Sequence, residues 1–175
     1  MENIEQMDPN VTDIKNPTIV NTINVNKFIA LSLITVGLYN FWWIYKSWRF
    51  IRDQEKSEIL PAFRTILSLF FLIPLFNRIL KLAKRSGYEP NYPSVILFIG
   101  FLLVSFLAYL PEPYFLFSLV GFVFLIPPFK AIKYAIANCE GFKENELRTF
   151  NGRQIFLLVI FGIIWILYIV GFMLT

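Results

Sequence analysis

From Gln154 to Leu174 the chain carries no charged side chain, and this restricts the fold more than any other feature. As a helix such a run is roughly 30 Å long, the thickness of a bilayer's hydrocarbon core. A soluble fold would have to cover it on every side. Three further blocks, residues 27–45, 93–110 and 114–129, are similarly apolar. Charged residues make up 16% of the chain, against about 25% in an ordinary soluble domain. The pattern predicts an all-α, polytopic transmembrane helix bundle with four spans, at 27–45, 93–110, 114–129 and 154–174. A multi-pass protein of the cell membrane, inner or plasma, follows. Residues 27–175 form one domain in this reading, and the polar stretch 1–26 is expected to be a disordered tail. That stretch lacks the basic start and early apolar core of a cleavable signal. Asn10-Val11-Thr12 fits a glycosylation sequon, a pattern common by chance.

Pro111-Glu112-Pro113 leaves room for only a tight tip, so the second and third spans should form an antiparallel helical hairpin. Pro127-Pro128 is expected to end the third, and Pro74 to interrupt a fifth block, residues 61–80. The uncharged run of that block, between Arg64 and Arg78, reaches about 20 Å as a helix, which is short for a crossing. Charge bias bears on it. If the block is re-entrant or interfacial, every basic residue except Lys15 and Lys27 falls on one face, and both termini lie outside. If it crosses, giving five spans, the bias shrinks and the N-terminus moves inside.

Between Thr35 and Arg49 the sequence reads TVGLYNFWWIYKSWR. On one helix, at about 100° per residue, these rings surround the axis and do not converge on a point. Trp42, Trp43, Tyr45 and Trp48 therefore read as an interfacial anchor, because amphipathic rings settle at headgroup level and cations follow them. The stretch resembles the first-helix motif of small multi-pass bacterial membrane proteins in uncharacterised domain families, a TLGIY run followed by aromatics and W-x-YK. Thr35, Gly37, Leu38, Tyr39, Trp42 or Trp43, Tyr45 and Lys46 carry the likeness, and Val36 replaces the usual Leu. The resemblance implies a bacterial membrane protein. It supplies no catalytic residues, since those families carry no assigned reaction.

The chain has no histidine and one cysteine, Cys139. The commonest general base and metal ligand is therefore missing, and so is any multi-cysteine site. No catalytic, cofactor or metal residues are expected, and the protein reads as a non-enzyme. Lys46, Arg49 and Arg52 share one helix face, as do Arg78, Lys81 and Arg85, and each cation near an anionic leaflet contributes about 1 kcal/mol. These residues are the expected binding surface for membrane lipids, anionic ones in particular, or for a protein partner. Nucleic acid is not expected, because the net charge is only +4 and Asp53, Glu55 and Glu58 interleave with the cations. The alternative is a small permease or channel subunit working as a homo-oligomer. Against it, no ionisable group sits mid-span, where ion pathways need one. Gly37, Gly100, Gly121 and Gly162 mark expected close helix contacts. Residues 138–153 read as a solvated cytoplasmic turn.

Overall fold

In a computed structural model that describes residues 17–174, the chain is predominantly helical: 73% helix, with seven α-helices among those residues. The sequon and the first sixteen residues of the expected tail lie outside the described residues. The remainder of that tail is ordered. Strand β1 (Thr18–Thr22) pairs in parallel with β2 (Phe142–Glu146), with Thr18 opposite Phe142 and Thr22 opposite Glu146. A sheet strand thus replaces the solvated turn expected at 142–146. Phe142 packs on Phe50 at 5.1 Å, giving the strand an apolar anchor that its polar sequence conceals.

The block 27–45 is not one helix, and this corrects the four-span expectation. Helix α1 (Val25–Ile34), capped by the Asn24 side chain on the Lys27 N–H, ends at Thr35. Val36 and Gly37 take left-handed angles (φ 51° and 80°), and α2 (Leu38–Glu55) starts in a new direction. The turn is closed by the Thr35 hydroxyl, which donates to the Leu31 carbonyl and accepts from the Tyr39 N–H. The two helices run back along each other. The Ser32 hydroxyl donates to Asn40 Oδ1 at 2.7 Å, and Phe28 meets Trp43 edge-on at 5.8 Å. Lys46 then donates to the Asn21 carbonyl at 2.7 Å. The two ends of the block therefore lie together, which a membrane crossing would forbid.

Helices α3 (Pro61–Ile66) and α4 (Ser68–Arg85) meet at a bend on Leu67. Pro74 sits inside α4 without interrupting it. The α4 face made by Leu72, Leu75, Phe76, Ile79, Leu82 and Ala83 is buried, whereas Lys81, Lys84 and Arg85 are exposed. Helix α5 (Ser94–Phe106) continues as a 3-10 turn to Tyr109, and a long 3-10 segment (Tyr114–Leu125) returns beside it. The expected hairpin is therefore present. Its returning limb does not stop at Pro127-Pro128. Proline is tolerated in the first helical turn, and these two open α6 (Ile126–Asn138), making Tyr114–Asn138 one apolar helical run. Gly100 and Gly121 do mark close contacts in this hairpin, whereas a Cβ on Gly162 would meet nothing within 4 Å.

Helix α7 (Gly152–Leu174) buries only Gln154. Two helices, Tyr114–Asn138 and Gly152–Leu174, are long and apolar enough to cross a membrane. For α7 the chain itself supplies no cover, since none of its apolar window is buried. Water is no better a neighbour, because exposed apolar patches on soluble proteins rarely exceed a few hundred Å². The packed core joins α1, α2, α4, α6 and the end of the 3-10 segment around Phe28, Trp48, Phe76, Leu125 and Phe129.

Candidate functional site

The basic residues expected to act together are separated by the fold. Arg52 and Arg49 both turn to Asp53, at 2.8 Å and 3.9 Å respectively. Arg78 pairs with Glu55 at 2.6 Å. Lys81 and Arg85 join Lys84 along the exposed edge of α4, bordering a shallow hollow of about 550 Å³ with Asn77 and Leu80. Lys46, one turn before Arg49 on α2, is directed at the strand β1.

The aromatic anchor divides as well. Trp42 remains 44% exposed and stacks on Tyr45 with ring centres 5.6 Å apart. Trp43 and Trp48 are only 7% and 0% exposed, so these two are core residues and not interfacial ones. A ring of belt aromatics requires a helix surrounded by lipid. One side of α2 instead packs on Phe28 and Phe129 of α1 and α6, and Trp48 is covered by arginines. The Arg64 guanidinium lies 4.6 Å from the Trp48 ring centre, and that of Arg78 lies 6.0 Å away.

A further basic site lies between α2 and the start of α7. It is a cleft of about 670 Å³ edged by Lys46, Arg49 and Arg153, with Trp42, Phe156 and Leu157 along its apolar side. Its geometry begins with a backbone event. The Asn151 N–H donates to Gln154 Oε1 at 2.9 Å as α7 starts, the reciprocal half of a capping box. Gln154 Nε2 then donates to the Tyr39 hydroxyl at 3.3 Å, joining α7 to α2. Lys27 Nζ donates to the Leu147 carbonyl at 2.6 Å and fixes the strand that leads into the helix. Burial, followed by the nearby Arg49 guanidinium, pulls Lys46 below the usual lysine range. An anion in the cleft would oppose both effects, because its charge favours the charged amine.

On its apolar side the cleft adjoins a second hollow of about 410 Å³, with Tyr39, Trp42 and Leu157 common to both. Leu38, Phe41, Tyr45, Ala62, Thr65 and Ile66 complete that hollow. A charged opening that continues into a hydrocarbon-lined groove suits one molecule with an anionic head and an apolar tail. Among the described residues no group of three or more His, Cys, Asp and Glu is placed to hold a metal ion.

Arg153 is the residue that sequence reading missed. Its signal was present, since it immediately precedes the longest apolar run as Lys46 follows the aromatic one. Nothing local relates the two positions, which come together only through the Gln154–Tyr39 bond and the turn at Gly37. No protein-family model, curated protein or solved structure matches the chain.

Proposed function

We propose that the protein is a multi-pass protein of the cell membrane that binds an anionic phospholipid, without catalysis, in the cleft between α2 and α7. The observation that carries this reading is the convergence of Lys46, Arg49 and Arg153 on an opening continuous with an apolar groove. The cleft's volume lies in the range of small-molecule sites, roughly 300–1,000 Å³.

The placement of charge supports the membrane setting. The ends of the α1–α2 hairpin join β1, β2 and the start of α7 through Lys46–Asn21 and Lys27–Leu147. The C-terminal ends of α4 and α6 meet where Ser86 Oγ lies 3.3 Å from Cys139 Sγ. Far from these contacts, Trp165 donates to the Ile34 carbonyl at the hairpin tip, and Phe115 meets Tyr168 edge-on. Basic residues gather at the first end, which the positive-inside rule makes cytoplasmic. The 61–80 block behaves as a re-entrant element in this reading. Arg64 and Arg78 bound its uncharged run, yet both guanidiniums lie within 6.0 Å of one indole. A crossing helix would hold them about 20 Å apart. Ile66, the residue before the Leu67 bend, is 80% exposed, as a tip dipping into lipid would be. The resulting topology has re-entrant α1–α2 and α3–α4 hairpins and three crossings, the α5 hairpin supplying two and α7 the third. The N-terminal strand lies on the cytoplasmic face and the end of α7 on the opposite one.

The test is retention of phosphatidylglycerol against phosphatidylcholine by the detergent-purified protein, read by native mass spectrometry. Lys46→Gln combined with Arg153→Gln removes two cations at about 1 kcal/mol each, so the preference should fall roughly 30-fold. Lys81→Gln with Arg85→Gln, on the open edge of α4, should cost much less. Equal losses from both pairs, or none from the first, would remove the cleft as the site.

A further inference from the structure

The tips of the two re-entrant hairpins enclose a second site, one that contains no charge. A groove of about 460 Å³ is bordered by the first turns of α2 and α4, by α5 and by the returning 3-10 segment. Its walls are largely apolar, yet Asn40, Ser68, Ser105 and Ser118 line it. The Ser105 hydroxyl is occupied by the Phe101 carbonyl at 2.7 Å. The other three retain unused capacity. Asn40 is only 7% exposed and its Oδ1 accepts from Ser32, but Nδ2 has no acceptor among the described residues. That amide nitrogen faces Gly37, another residue of the wall, 3.5 Å from where a Cβ there would sit. The hydroxyls of Ser68 and Ser118 likewise have no partner among the described residues.

Among the described residues the buried side-chain atoms without a partner are Trp48 Nε1, Ser57 Oγ and Ser94 Oγ. Asn40 Nδ2 is not one of them, so it opens on the groove. An amide donor left there without an acceptor costs about 1–3 kcal/mol, since in hydrocarbon no water relieves it. The first turns of α2 and α4 add the partial positive charge of two helix N-termini on the same side. Donors and positive potential without a cation select an uncharged acceptor oxygen over a phosphate. We propose that this groove binds the carbonyl group of a lipid-soluble molecule, an acyl ester or a quinone, through Asn40 Nδ2 with Ser68 or Ser118 as the second donor. The inference uses the membrane setting argued above and is independent of the anionic-lipid cleft. Phe41 and Ile66 separate the groove from the apolar hollow beside that cleft and line both.

The experiment measures binding of a short-chain benzoquinone and of dioctanoylglycerol to the full chain in detergent. The quinone is followed by quenching of tryptophan emission, and the diacylglycerol by its competition with the quinone or by native mass spectrometry. Saturable binding of either probe at one site supports the proposal, and the probe that binds more tightly identifies the source of the carbonyl. Asn40→Leu, close in shape but without a donor, should weaken binding roughly five-fold, the value of one hydrogen bond. Because that change also deprives Ser32 of its partner, Ser118→Phe provides a second approach. It fills the groove from the opposite wall and should abolish saturable binding. Both variants should retain phosphatidylglycerol like the unaltered protein, while Lys46→Gln with Arg153→Gln should leave quinone binding unchanged. Failure of both probes to bind the unaltered chain, or unchanged affinity in both groove variants, would overturn the proposal whatever the fate of the anionic-lipid reading.

Discussion

Replacing Gly100 with alanine tests the packing of the α5 hairpin where it is closest. A Cβ built there falls 2.2 Å from Phe124 Cε1 and 2.7 Å from Cδ1 and Cζ, well inside contact distance. Phe124 must therefore rotate or the two limbs must separate, and overpacking of this kind costs about 1–3 kcal/mol. Alanine also gains about 0.5–1 kcal/mol over glycine within a helix. The informative comparison is thus with Gly162→Ala on α7, where the new methyl meets nothing within 4 Å and only the gain remains. Gly162→Ala should be neutral or slightly stabilising. The gap between the two variants should equal the overpacking cost, roughly 1–3 kcal/mol. Reversible unfolding in mixed micelles, followed by tryptophan emission, would measure it. A cycle with Phe124→Leu isolates the contact, since shortening the ring should recover 1 kcal/mol or more of the Gly100→Ala loss. Identical stabilities for the two glycine variants would refute the close approach, and with it the groove wall that this approach holds in place.

Three further outcomes follow from the geometry. In a Cys139→Ser background, single cysteines at Ser57, Ser86 and Thr149 should all react with an impermeant thiol reagent from the same side of the membrane; Ser57 and Ser86 labelling from opposite sides would mean that 61–80 crosses. Trp48→Ala should lose about 3–5 kcal/mol as a buried aromatic truncation, whereas Trp42→Ala should lose under about 1 kcal/mol, so equal losses would restore both rings to the interface. Phosphatidylglycerol retention should weaken as pH rises toward 10.5, the ordinary lysine value, because Lys46 has a lowered pKa in the empty cleft and binds an anion only as ammonium. Lys46→Arg should delay that decline; a profile unchanged by this replacement would place the titrating group elsewhere.

The helical class and the two helices long and apolar enough to cross a membrane are legible in the residues alone. Leu, Ile, Phe and Val from 155 to 174, uninterrupted by charge, admit few alternatives in any environment. The α5 hairpin is legible too, since Pro111-Glu112-Pro113 can form only a tip. Element length, however, overstated what the first block does. Uncharged from Phe28 to Tyr45, it reads as a span, yet the positive φ of Val36 and Gly37 folds it into a hairpin. A one-dimensional hydropathy pattern cannot separate these outcomes, because a folded-back hairpin and a single long helix can carry the same apolar residues. The aromatic run followed the same logic: angular position on α2 was readable, but which side of α2 faces lipid depends on α1, α3 and α6.

What the sequence determined by itself is composition along the chain: which segments are apolar, where cations begin, and that no histidine or cysteine cluster exists. These are additive properties of single residues and need no partner. Only the tertiary structure decided which cations share a cleft and which are neutralised by Asp53 or Glu55. It alone placed the Asn40 amide, whose nitrogen has no acceptor among the described residues, between two hairpin tips. The physical reason is sequence separation. Gln154 and Tyr39, or Arg64 and Arg78 on one indole, meet through the chain's turns, and no local preference of either residue encodes the distance between them.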